Sequence, residues 1–237
     1  MSQPGLSPSE RSAINTGRWF SSLSPSVRHD LLRHARLRRY APGELISARG
    51  SISCEWFACA SGAVRVGSSG ITGKQIALTY IQPGVWFGDP GLFDGGCCAH
   101  DVHAHEQSTL LVVTRAELET LLVRHTELCA AVMRLQARHI RELYEAIEEA
   151  NTLPLGARLA KQLVSLTRRH GVPVGHKGGA IRIGLNLCQK DLAELIGASR
   201  QRVNSVLKEM ERSGIIQLER LSVVVYNTDA LKAMSAR

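Results

Sequence analysis

The sequence predicts an α+β protein made of an N-terminal β-sandwich or barrel, a long helix, and a C-terminal winged helix-turn-helix. Three observations carry this prediction. Short β-prone runs broken by glycine fill residues 40–113, residues 115–150 hold neither proline nor glycine, and two helix-like stripes flank Gly197 ahead of an alternating apolar run. The 237 residues, 44% of them hydrophobic, suffice for two ordinary cores.

Residues 1–15 are rich in serine, proline and polar side chains and read as a mobile leader. The β domain is assigned to residues 16–114 and opens with a short helical segment that includes Val27 and Leu37. Its expected strands cover 56–60, 63–66, 75–81 and 109–113, with Gly62, Gly67, Gly84 and Gly88 beside them. Many short strands at such intervals indicate a sandwich or barrel.

Residues 115–150 are rich in Leu, Ala, Glu and Arg and read as one long helical region. Within it Met133, Ala137, Ile140, Tyr144 and Ile147 follow the four-three spacing of a two-stranded coiled-coil seam, which predicts a homodimer. Such a stripe could instead pack on the helix's own β domain. Leu128, Val132 and Leu135 offer a second apolar face for that purpose, which leaves the first for a partner.

Asn151, Thr152 and Pro154 mark a hinge into the third part, residues 151–237. Proline forces its predecessor out of helical geometry and suits the first turn of a new helix. That helix is expected over 154–169, a glycine-rich connection over 171–179, and a short strand over 180–183. Residues 187–210 are the most informative. Leu192, Ala193 and Ile196 form the inner face of a first helix, Gly197 permits a tight turn, and Ser199 caps a second helix with Val203, Val206, Leu207 and Met210 inward.

The outer side of that second helix carries Arg200, Gln201, Arg202, Asn204 and Lys208. Arginine forks onto guanine O6 and N7, and Gln or Asn pairs with adenine, so Arg200, Gln201, Arg202 and Asn204 are candidate base readers. Lys208 is a candidate phosphate contact. Residues 213–226 alternate like a hairpin and would form the wing. The same geometry also occurs as plain helical packing with a solvated polar face.

Charge placement favours the nucleic-acid reading. The chain carries a formal +8, and residues 150–220 hold twelve Lys and Arg against five Asp and Glu. An anionic membrane surface is the other polyanion such charge would suit, but the surplus lies around the helix-turn-helix, where phosphate contact explains it. No stretch approaches the roughly 20 apolar residues of a membrane span. Cysteines 54, 59, 97, 98, 129 and 188 show no regular pairing interval, and no signal peptide precedes them, which fits a reduced cytoplasmic setting.

Pro42-Gly43-Glu44, Ser61-Gly62-Ala63-Val64-Arg65-Val66, Gln82-Pro83-Gly84 with Phe87-Gly88-Asp89, and Asp191 through Asn204 together resemble the Crp/Fnr superfamily, over about residues 20–230. The resemblance implies a cyclic-nucleotide-binding-like β-roll (a jelly roll), a dimerisation helix and a palindromic operator in double-stranded DNA, with RNA polymerase as an expected partner. Carried over by position, it assigns base reading to Arg200 and Gln201, and phosphate contacts to Gln189, Lys190 and Ser199. The family commonly has Glu where Gln201 stands and Arg where Ser205 stands, so the operator should differ from the widespread family consensus.

The same resemblance places an effector pocket at Gly88, Asp89, Cys98, Ala99, Leu143 and Tyr144. Cyclic AMP responders hold the ribose with a Gly-Glu pair and the cyclic phosphate with an Arg-Ser pair. Here those positions are Gly88-Asp89 and Cys98-Ala99, and a buried phosphate without a charge-assisted partner is unfavourable. Leu143 and Tyr144 replace the small hydroxyl residues that would meet adenine. The effector is therefore expected to be something other than cyclic AMP, its identity and any cofactor unknown. No cysteine precedes Cys54, so an N-terminal iron–sulfur cluster is not expected. Two alternatives share the fold: a regulator with no small ligand, and a metal, haem or redox sensor using Cys97, Cys98, His100, His103 and His105. An enzyme with Cys97 or Cys98 as nucleophile is disfavoured, because no oxyanion loop accompanies them.

Overall fold

Sequence-local signals decide where most elements begin and end. The computed structural model describes residues 5–52, 55–69, 75–88, 90–174 and 179–235. Two units are resolved, Met1–Ser69 with Leu78–Arg141, and Gly70–Ala77 with Glu142–Arg237.

In the first unit, helix α1 (Pro8–Thr16) stands where a mobile leader was expected. The Ser7 hydroxyl accepts from the Glu10 N–H while the Glu10 carboxylate accepts from the Ser7 N–H, a reciprocal cap, and Pro8 fits the first turn. Ile14 is buried beneath it. Helix α2 (Pro25–His34) is capped by Ser24 and ends before Leu37. Leu37 instead belongs to strand β1 (Arg36–Tyr40), because the extended Ala35 ends the helix.

The roll continues through β2 (Leu45–Ser47), β3 (Glu55–Ser61), β4 (Val64–Ser69), β5 (Gln75–Ile81), β6 (Trp86–Phe87), a short α3 (Gly91–Asp94), β7 (Asp101–Ala104) and β8 (Ser108–Thr114). Its sheets run β1-β8-β3-β6 and β2-β7-β4-β5. Strands β3 and β8 are buried along nearly their whole length, which explains their unbroken apolar runs. One face of the first sheet supplies Phe57, Cys59, Leu110 and Val112 to a core shared with Val64 and Ala104 of the second sheet. The other face supplies Trp56, Ala58, Trp86, Leu111 and Val113 to a core shared with the helices. There Trp19, Phe20, Trp56 and Trp86 pack ring to ring with centroids 4.8–5.8 Å apart. Each such ring removes a large apolar area from water, and each pair adds about 0.5–1.5 kcal/mol beyond that.

The expected continuous helix over 115–150 is broken. Helix α4 (Arg115–Arg124), capped by Thr114 and Glu117, ends at His125, and α5 (Thr126–Thr152) begins there. His125 Nε2 lies 2.9 Å from the Asp30 carboxylate on α2, which anchors the break. The reorientation lets Leu118 and Leu121 of α4 and Leu128, Ala131, Val132 and Leu135 of α5 all enter one core. Trp19 Nε1 donates to the Ala131 carbonyl at 3.0 Å, fixing α5 further.

Asn151 and Thr152, expected to be hinge residues, complete the last turn of α5, their side chains donating to the Ile147 and Glu148 carbonyls. Only Leu153 and Pro154 separate α5 from α6 (Leu155–His170). In the second unit, residues 171–174 of the expected glycine-rich connection form a strand, β9 (Gly171–Val174), because Val172 and Val174 pair with β10 (Ala180–Ile183). Helices α7 (Gln189–Ile196) and α8 (Arg200–Arg212) follow, then β11 (Ile216–Leu218), β12 (Val223–Val225) and α9 (Thr228–Ser235). The sheet order is β11-β12-β10-β9. Leu159, Leu163, Leu192, Val203, Leu207, Met210 and Leu231 are all buried. Among the described residues no helix is long and apolar enough to cross a membrane.

Candidate nucleic-acid interface

The turn between α7 and α8 depends on Gly197, whose φ of 69° is a left-handed conformation that side chains disfavour. Ala198 N–H reaches back to the Ala193 carbonyl at 3.1 Å, and the Arg158 guanidinium on α6 donates to the Ile196 carbonyl. The next residue, Ser199, starts α8 by accepting from the Arg202 N–H at 3.3 Å. Val203, Leu207 and Met210 then fix one face of α8 inward, and that orientation leaves Arg200, Gln201, Arg202 and Lys208 exposed on the other.

Asn204 is placed differently from its neighbours. It is half-buried, and its Oδ1 is shielded from solvent without a hydrogen-bond partner. Lys190 is exposed at the start of α7, with its ammonium 3.7 Å from Glu194, while Gln189 is half-buried. Cys188 caps α7 and its N–H donates to Asp191 at 2.8 Å; burial and the nearby Asp191 push its thiol pKa up.

The wing closes on a tight turn in which Glu219 N–H meets the Ser222 carbonyl at 2.9 Å, leaving Arg220 and Leu221 at the tip. Leu187 N–H donates to the Leu221 carbonyl and Ser222 Oγ to the Ile183 carbonyl, tying the tip to the strand and loop before α7. A cleft of about 220 Å³ lies between wing and helices, lined by Cys188, Gln189, Arg200, Glu219, Arg220 and Ser222 among others. Arg220 was not singled out from the sequence, since only the folded hairpin brings it to the same cleft as Arg200.

The positions expected around an effector are less unified. Gly88 is required by packing, since a Cβ there would sit 2.8 Å from the Trp56 ring. Asp89 and Cys54 lie outside the described residues. Cys98 is 4% exposed with its sulfur 3.1 Å from Ser47 Oγ, and Ala99 is exposed. Leu143 and Tyr144 are exposed on α5.

The Cys–His candidates do not assemble into a metal site. Among the described residues no three His, Cys, Asp or Glu side chains are placed to hold a metal ion. Cys97 is exposed beside the buried Cys98, and His105 falls beyond the end of β7, so it does not share a strand face with His103. Its ring packs edge-on to Tyr80 at 4.7 Å instead.

The coiled-coil stripe is exposed on this chain. Met133, Ile140, Tyr144 and Ile147 keep 71, 51, 69 and 58% of their surface open, while Ala137 between them is half-buried.

Comparison with known proteins matches residues 37–125 to the cyclic nucleotide-binding domain and residues 157–234 to the Crp-like helix-turn-helix domain. A CRP-like cAMP-activated global transcriptional regulator of Mycobacterium tuberculosis is 27% identical over 212 residues, covering 90% of this chain and 93% of that one. The fold is similar to FixK2 from Bradyrhizobium japonicum, with a TM-score of 0.75 at 19% identity over 86% of this chain and 98% of the other. It is also similar to the c-di-GMP responsive global regulator CLP of Xanthomonas campestris, with a TM-score of 0.71 at 20% identity over 86% and 99%. The Mycobacterium and Xanthomonas proteins are both named as global regulators. With a β-roll and a winged helix-turn-helix that both match by sequence and a fold shared along most of its length, this chain belongs to the Crp/Fnr superfamily of DNA-binding transcription regulators.

Proposed function

We propose that the protein acts as a cytoplasmic homodimer on a palindromic operator in double-stranded DNA, in concert with RNA polymerase, and that its effector is not cyclic AMP. The observation that carries the DNA reading is the start of α8, where Arg200, Gln201 and Arg202 face solvent while the opposite face is locked into the core. These three read base edges in the major groove, with Asn204 beside them. Gln189, Lys190, Ser199 and Lys208 contact phosphates. Pairing through Met133, Ala137, Ile140, Tyr144 and Ile147 would set two recognition helices one DNA turn apart, about 34 Å.

The effector part rests on Cys98. A thiol held against Ser47 stands where cyclic AMP responders present a phosphate-binding arginine, and it offers no cation. The relatives themselves are named for different signals, cAMP in one and c-di-GMP in the other. A second reading is favoured by the interior of the roll. Tyr40, Phe57, Phe87, Leu110 and Val112 fill it, with Phe57 stacked on Phe87 at 5.4 Å, as a regulator without a small ligand would require.

Quantitative gel shifts test the DNA assignment. Arg200→Ala costs about 1–3 kcal/mol on the selected operator and relaxes specificity at one base pair. Lys190→Ala weakens binding evenly across sequences and lowers its salt dependence. Equal losses on matched and scrambled DNA for Arg200→Ala contradict base reading by that side chain.

A further inference from the structure

Glu219 poses an electrostatic problem for DNA binding. It is the one acidic side chain among the described residues that line the cleft shared by Arg200, Gln189 and Arg220, and it directly precedes the wing-tip Arg220. A free carboxylate there would repel phosphate oxygens and compete with them for the arginines. The fold gives it another partner. Arg182, on β10 and outside the helix-turn-helix, grips Glu219 through two parallel bonds, Nε to Oε2 at 3.1 Å and Nη2 to Oε1 at 2.9 Å. Such a fork is the most geometrically specific ion pair that proteins make. Neither residue is buried, and Glu219 lines the cleft with Arg200 and Arg220, so its carboxylate is within reach of whatever enters there.

We propose that Arg182 is a positioning residue for DNA binding, which neutralises Glu219 and turns its carboxylate away so that Arg200 and Arg220 are left to the DNA. The inference rests on the DNA-binding reading above and adds a residue that neither the helix-turn-helix pattern nor the resemblance assigns. The wing supports it mechanically. Glu219 opens the Glu219–Ser222 turn, its N–H 2.9 Å from the Ser222 carbonyl, and Arg220 is the next residue in that turn, so the two positions are coupled.

The test uses the full chain and an operator selected with the wild-type protein. Arg182→Ala is expected to weaken binding about tenfold near 0.1 M salt and to reduce the salt slope by about one. Glu219→Gln alone leaves binding equal to wild type or tighter. The double variant Arg182→Ala/Glu219→Gln restores both affinity and slope, because no carboxylate remains to be neutralised. A double variant as weak as Arg182→Ala overturns the proposal, since Arg182 would then touch DNA itself or act only through the fold. Circular dichroism melts of all three variants separate those two causes. Unchanged binding by Arg182→Ala also overturns it. Failure of the wild-type protein to bind any selected DNA instead overturns the DNA reading, and this inference with it.

Discussion

Truncating Ile147 to Ala probes the proposed dimer seam with a magnitude that follows from exposure. In the single chain 58% of Ile147 remains open to solvent. Full burial of such a side chain contributes about 1.5–3 kcal/mol, so the open share is worth about 0.9–1.7 kcal/mol once a partner covers it. The substitution enters both copies, so the dimer loses about 1.7–3.5 kcal/mol. At 1.4 kcal/mol per decade, the dissociation constant rises roughly 20- to 300-fold. Sedimentation velocity over a dilution series measures this, with Glu145→Ala on the outer side of α5 as the control. A dissociation constant within threefold of wild type for Ile147→Ala, or an equal rise for Glu145→Ala, refutes pairing through this stripe.

Two further expectations are independent of the dimer. Burial alone would raise the pKa of Glu10, but hydrogen bonds from the Ser7 N–H, Thr109, Ser61 and the Ser7 hydroxyl outweigh it and hold the carboxyl at about 2 instead of 4.5. The folded pKa is the lower one, so this stabilisation is full above pH 4.5 and is lost as pH falls toward 2. Glu10→Gln therefore lowers unfolding free energy by about 2 kcal/mol at pH 7, and urea titrations should find that gap narrowing by pH 3; a gap that is constant with pH contradicts the assignment. Cyclic AMP at millimolar concentration should leave both the melting temperature and the operator affinity unchanged, and a saturable rise in either would return the cyclic nucleotide to the β-roll.

Much of this architecture is legible in the chain because it follows from local pattern. Strands β3 and β8 read as apolar runs, and Gly197 with Ser199 announces the turn and cap of the helix-turn-helix. Helix α1 was legible too, through Ser7, Pro8 and Glu10, but the serine and proline content of the first residues points the other way when read as composition. The short α9 follows the wing, and its single buried residue, Leu231, is too little apolar pattern to mark a helix in the sequence. Strand β1 carries little strand signal in its sequence, because Arg36, Arg38 and Arg39 surround the single buried Tyr40. Basic side chains on an edge strand are a common guard against edge-to-edge pairing. The break at His125 has no helix-breaking residue to reveal it, and the Asp30 carboxylate that holds His125 lies 95 residues away in sequence. For the same reason the sequence exposes Arg200 but not the Arg182–Glu219 fork, which joins residues 37 apart. Local rules locate a recognition helix, and only the assembled sheet shows what stands beside it.

If two copies of α8 read a two-fold symmetric DNA site, selection of bound sequences from random double-stranded DNA, with protein purified without added ligand, should recover it. The expected product is a palindrome with half-sites one helical turn apart, whose enrichment is lost with Arg200→Ala. Enrichment of no sequence, by protein that is folded and dimeric, would contradict that reading.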